Sequence, residues 1–161
     1  MAKQKDIKTN AMRILDRMKI EYTANFYECE EFVDGIETAD KLGLPHELVY
    51  KTLVTLGNSK QYFVFVIPIE AELDLKKAAK AVGEKSVSMI AVKEITQVTG
   101  YVRGGCTAIG MKKKYKTVVS DTAEALDEMY VSGGKIGCQI KLTPKDLLKA
   151  CEGVLGDIIT E

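Results

Sequence analysis

Histidine occurs once in this chain, at position 46, and proline three times. The four cysteines, Cys29, Cys106, Cys138 and Cys151, include no C-x-x-C pair. With one imidazole and no paired thiols, no zinc site of the usual ligand spacing is encoded, and no metal or other cofactor is expected. The same scarcity argues against a Ser-His-Asp arrangement, because His46 follows Pro45 in a loop or short turn. Charge of one sign is not in excess: 23 Lys and Arg meet 23 Asp and Glu, for a formal net charge of zero. Long-range attraction to nucleic acid is therefore weak, and a nucleic-acid partner must be held by a local patch. No apolar run approaches the roughly 18 residues of a membrane span, so no membrane association is expected. The charged start, Met1-Ala2-Lys3-Gln4-Lys5-Asp6, lacks the apolar segment of a secretory signal. The expected location is cytoplasmic, with reduced cysteines.

The 161 residues, 46% hydrophobic and 29% charged, suit one domain with a real core, spanning residues 1–161. Residues 9–18 predict a first helix, with Thr9 as cap and Ala11, Ile14, Leu15 and Met18 on one face. Residues 20–27 read as an edge strand. Residues 38–42 form a short helix ended by Gly43, and 46–50 one further turn. The clearest hairpin is 51–56 and 61–67 around Gly57-Asn58-Ser59-Lys60. Its second strand is apolar at nearly every position, which predicts burial on both faces near the centre of a sheet. Asp74 caps a helix to Val82 that Gly83 stops. Strands follow at 86–90, 117–119, 129–132 and 136–142, with short helices at 93–98 and from about 121. Thr143-Pro144 opens the last helix. The mixed order predicts an α/β (mixed α+β) domain rather than a regular βαβ repeat.

Three features carry chemistry. Lys51 heads the apolar run Thr52-Leu53-Val54-Thr55-Leu56. Its ordinary reading is a strand-end lysine with its head in water; the alternative is a cation aimed at a phosphate or a reacting ester. The loop GYVRGGCTAIG, residues 100–110, holds four glycines. It reads either as paired turns with a bulge or as a nest of N–H groups for an oxyanion. It is not a P-loop, since no Gly-Lys-Ser/Thr follows, nor a dinucleotide fingerprint. Ser132-Gly133-Gly134-Lys135 is a hairpin turn or a second hydrogen-bonding loop. The run Lys112, Lys113, Lys114 with Lys116 is a solvated surface or a weak phosphate contact, with Tyr115 available to stack on a base. Cys138 and Cys151 read as core, and Cys106 as a small buried hydrophobe within the glycine loop.

Taken together, VYKTLV (49–54), LDLKKAAKAVG (73–83), TGYVRGG (99–105) and YVSGGKIG (130–137) resemble the YbaK/EbsC family. These are trans-editing proteins related to the editing domain of bacterial prolyl-tRNA synthetase. The resemblance runs from about residue 9 to residue 148. It implies a six-stranded, barrel-like mixed sheet with flanking helices, and deacylation of cysteine mischarged onto tRNA(Pro), with tRNA(Cys) a further candidate. The alternatives are a non-catalytic module that binds aminoacyl-tRNA or prolyl-tRNA synthetase, and a water-dependent deacylase of another small aminoacyl-tRNA. Implied partners are the aminoacylated 3′ end of tRNA and prolyl-tRNA synthetase. Lys51 matches the family's essential lysine and Thr52 follows it. Tyr27 aligns with a pocket tyrosine, Gly104 and Gly105 with the loop facing the aminoacyl ester, and Ser132 and Gly133 with the second pocket loop. Three departures stand out. Thr107-Ala108 replaces the usual Ser-Pro, which should loosen the loop but keeps a hydroxyl at Thr107. Gln139 stands where some relatives are acidic. Residues 29–37 align poorly, so no pocket residue is transferred from them. The implied nucleophile is the cysteine thiol of the substrate itself.

Overall fold

The computed structural model describes residues 8–27 and 35–160. Among the described residues, five helices and eight strands follow one another. They are α1 (Asn10–Arg17), β1 (Thr23–Phe26), α2 (Gly35–Leu42), β2 (Tyr50–Gly57), β3 (Tyr62–Pro68), α3 (Leu75–Val82), β4 (Val87–Met89), α4 (Ile95–Thr99), β5 (Lys116–Ser120), β6 (Met129–Ser132), β7 (Cys138–Leu142), α5 (Pro144–Cys151) and β8 (Val154–Gly156). Three 3₁₀ turns, His46–Leu48, Val92–Glu94 and Asp121–Ala125, lie between them. The helix expected from about 121 is therefore a single 3₁₀ segment.

Caps set the helix ends as the sequence predicts. Thr9 Oγ1 accepts from the Met12 N–H at 3.2 Å, and the Asp74 carboxylate accepts from the Lys76 and Lys77 N–H groups at 3.0 Å each. Thr143 caps α5, with Pro144 in its first turn. Thr9 also donates to the Gly133 carbonyl at 2.6 Å, which ties the start of α1 to the turn after β6.

The strands form two sheets, one ordered β1-β7-β6 and one ordered β4-β2-β3-β5-β8. A single parallel bridge, Val49 to Tyr130, links them. The architecture is the expected mixed α/β type, but the barrel-like sheet does not close: the ladder breaks into three and five strands. The bridging Val49 lies between the turn His46–Leu48 and the start of β2, and the pairing with β6 goes no further than that bridge.

β3 lies in the middle of the larger sheet, antiparallel to β2 and parallel to β5. Its side chains alternate between two cores, as period-2 geometry requires. Val64 and Val66 join Leu15, Met129, Ile140 and Leu147 between the sheets, α1 and α5. Phe63, Phe65 and Ile67 face the other way, against Ala78, Ala79 and Val82 of α3. Phe65 and Ile67 are fully buried, each worth about 1.5–3 kcal/mol of transfer free energy. Strand β8, unforeseen in the sequence, pairs in parallel with β5.

Candidate active site

The site begins with a short strand. β4 pairs with β2 only at Thr55, Leu56 and Gly57. β4 ends at Met89; one further bond, from the Ile90 N–H to the Val54 carbonyl at 3.3 Å, continues the pairing, and residues 50–54 form a wall of a cavity of about 510 Å³. Met89 and Ile90 at the end of β4, Val92 and Ile95 beyond it, and Val49 and Ile69 give the cavity an apolar floor. Ile36 and Thr38 of α2 close one side.

Lys51 and Thr52 line this cavity. Lys51 is half-buried and makes no ion pair with another described residue. Gly104 from the glycine loop and Ser132 from the end of β6 line the same cavity. The structure thus brings together Lys51, Thr52, Gly104 and Ser132, which are 81 positions apart at their extremes (132 minus 51).

Other expected residues lie elsewhere. Gly105 is buried, and its N–H donates to the Val102 carbonyl at 3.0 Å. A Cβ there would meet Lys135 Cα at 2.6 Å. Gly105 therefore lets the glycine loop press on the turn after β6, and its amide is already used. A Cβ on Gly133 would press on the Cys138 side chain. Thr107 is fully buried, and its hydroxyl accepts from the Ile109 N–H at 3.4 Å. Tyr27 donates its N–H to the Gly137 carbonyl at 3.0 Å and does not reach the cavity wall. Of the basic run, Lys113 and Lys114 line a separate cavity between α1 and α5, Lys114 pairs with Glu152 at 2.7 Å, and Lys112 Nζ donates to the Gln97 carbonyl at 3.1 Å. Tyr115 packs edge-on to Tyr62 and donates its hydroxyl to the Val98 carbonyl at 2.7 Å, so it is not an open stacking platform. Cys29 lies outside the described residues.

Arg103, Cys106 and Gln139 are among the wall residues not singled out as site residues in the sequence. A cation and a thiol inside a glycine loop were available as a signal, since both belong to the stretch read as an N–H nest. The loop that presents them is pinned internally. Tyr101 donates its hydroxyl to the Ile109 carbonyl at 2.6 Å, and the Lys112 N–H bonds the Thr99 carbonyl at 3.0 Å. The amides of Gly104 and Cys106 have no backbone partner among the described residues. Gly104 sits at φ +86°, a left-handed conformation that glycine adopts without strain.

Burial pushes the Cys106 thiol up to about 11, so near neutral pH it is protonated and a poor nucleophile. Among the described lining residues there is no histidine and no carboxylate. The wall offers two cations, hydroxyls of Thr38, Thr52 and Ser132, one amide side chain and two backbone amides with no backbone partner among the described residues. Such a wall can bind an anion and stabilise an oxyanion, but it holds no general base near neutrality. Among the described residues no cluster of His, Cys, Asp or Glu could hold a metal ion, and no helix is long and apolar enough to cross a membrane.

Known proteins are similar to this chain in sequence and in fold. A relative from Enterococcus faecalis, whose name assigns it provisionally as a Cys-tRNA(Pro)/Cys-tRNA(Cys) deacylase, EbsC, is 42% identical over 163 aligned positions that cover 100% of this chain and 99% of the relative. A solved structure described provisionally as a trans-editing enzyme for prolyl tRNA synthetase has a TM-score of 0.79 at 20% identity, covering 96% of this chain and 99% of its own. Another, of a hypothetical protein, has a TM-score of 0.84 at 20% identity, covering 94% and 99%. These two show the fold. Residues 30–150 match the aminoacyl-tRNA editing domain, and with that match and the full-length relative the chain belongs to the aminoacyl-tRNA editing domain family.

Proposed function

We propose that this protein is a free-standing editing deacylase of the cytoplasm that removes cysteine mischarged onto tRNA(Pro), with tRNA(Cys) as a further substrate. The observation that carries this reading is the cavity wall: two cations and an apolar floor, with no imidazole or carboxylate among the described lining residues. The 3′ end of an aminoacyl-tRNA fits that chemistry. Its terminal phosphate and ribose suit Lys51, with Arg103 of the glycine loop, and its small side chain suits the apolar floor that includes Ile69 and Ile90.

A wall without a base near neutrality favours a nucleophile that the substrate brings. The cysteinyl thiol is tethered to its own ester, which raises its effective concentration. Its sulfur bonds to the carbonyl carbon, the ester C–O bond breaks, and the thiol proton ends on the ribose hydroxyl. The products are a cyclic thiolactone and free tRNA. The developing oxyanion is assigned to the amides of Gly104 and Cys106, because the Gly105 amide is committed to Val102. Lys51 fixes the adenosine end so that the ester reaches those amides. Thr52 and Ser132 supply hydrogen bonds along the wall. With no net charge the chain has little long-range pull on tRNA, so prolyl-tRNA synthetase is the partner proposed to deliver it.

Purified protein with cysteinyl-, seryl- and alanyl-tRNA(Pro) tests this. The cysteinyl ester should be cleaved at least about 100-fold faster than the alanyl ester, the scale expected of a tethered nucleophile. Equal rates on both would assign the attack to water. No release of any amino acid would leave a binding module.

A further inference from the structure

Gln139 sits in β7 opposite Asn25 of β1 and Ser132 of β6. Residues directly opposite in antiparallel ladders project to one face. Cys138 and Ile140, on either side of Gln139, point into the main core and are fully buried. The alternation therefore turns Gln139 to the face that carries Ser132, and both line the cavity. Gln139 is only 7% exposed, and its Oε1 is buried with no hydrogen-bond partner among the described residues. Buried amide oxygens are normally satisfied, so an orphan in a substrate cavity needs an explanation. Its terminal torsion is soft, and a modest rotation turns the oxygen toward an occupant.

We propose that Gln139 Oε1 accepts a hydrogen bond from the α-amino group of the aminoacyl ester and thereby sets how the aminoacyl group lies in the cavity; this rests on the deacylase reading for the identity of the occupant. Charge selects the donor. Lys51, a cation of the wall, is a donor and repels an ammonium, and no carboxylate is among the described lining residues. The α-amino group must then find a neutral acceptor, and Gln139 holds the one buried side-chain oxygen among the described residues that lacks a donor. A neutral amide accepts from both the ammonium and the free amine, whereas a carboxylate would favour the ammonium alone. Gln139 can thus accept from the amino group in either protonation state near neutral pH.

The test separates binding from turnover. Wild type and Gln139→Met are titrated calorimetrically with a stable amide analogue, 3′-cysteinylamino-3′-deoxyadenosine, and with its counterpart lacking the α-amino group. Wild type should bind the amino form at least about 10-fold more tightly, as expected for a hydrogen bond to a charged donor. Gln139→Met should erase that preference and leave the affinity for the desamino form unchanged. Gln139→Glu should restore the preference below the amine pKa. The proposal is overturned if wild type shows no preference, or if Gln139→Met weakens both ligands equally while its melting temperature is unchanged. Deacylation of cysteinyl-tRNA by wild type is followed in parallel. A preserved amino preference without turnover would sink the deacylase reading and keep Gln139 as the amino-group acceptor.

Discussion

At the scale of single residues, proximity in the cavity separates chemistry from support. Lys51 drew notice because a lysine heading an apolar strand is costly without a partner, but its place in a site, like that of Thr52, came from the family resemblance. Gly105 was legible as a required glycine, but not for its reason. Its constraint is the Lys135 backbone at 2.6 Å from a hypothetical Cβ, a contact across 30 positions that no local pattern encodes. Gly105→Ala should therefore destabilise the protein by about 1–3 kcal/mol, the usual penalty for forcing atoms into a closed gap. Urea unfolding measures this, and unchanged stability would mean that the loop yields freely. Cys106 makes the opposite case. Its thiol titrates at about 11 because burial disfavours the thiolate, so it stays neutral near pH 7. Iodoacetamide should label it slowly at pH 7 and faster as pH climbs toward that value. Cys106→Ala should keep deacylation within a few-fold of wild type. Loss of activity in that variant would give the thiol a direct role.

At the scale of elements, hairpin β2–β3 and the capped helices α1, α3 and α5 follow from their sequences, because each is specified by neighbours in the chain. The 3₁₀ turns and β8 do not. Val154–Gly156 becomes a strand only because β5 offers a free edge. The gap beside β2 that makes the cavity depends likewise on β4 stopping after three residues. The cover of the cavity shows a further contact of this kind. His46, before β2, pairs with Asp40 of α2 at 2.8 Å and with Glu70 after β3 at 3.3 Å. The hydrogen bond to Asp40, and then that to Glu70, raises the His46 pKa. A raised folded-state pKa means that the clamp contributes fully below the ordinary histidine value of about 6.5 and is lost as pH rises through the folded value. Amide exchange in residues 35–49, corrected for intrinsic rates, should then show more protection at about pH 6 than at about pH 8.5. His46→Ala should flatten that difference, and a difference that persists would remove the clamp from the account.

At the scale of the whole molecule, charge is balanced overall and yet uneven where it matters. The chain has no net charge, while the described wall of its larger cavity carries two cations and no acid. Four spaced motifs pointed to this cleft, and the fold gathers a member of three of them: Lys51, Gly104 and Ser132. What the sequence could not show is which amides remain open, because that depends on turn hydrogen bonds formed only in the folded loop. Lys51 is the cation proposed to seat the substrate. Single-turnover deacylation of Cys-tRNA(Pro) by wild type and by Lys51→Ala, at matched melting temperature, measures this directly. The expected result is a loss of at least about 100-fold, the scale of removing a key electrostatic contact from a reacting centre. A Lys51→Ala rate close to that of wild type would contradict it.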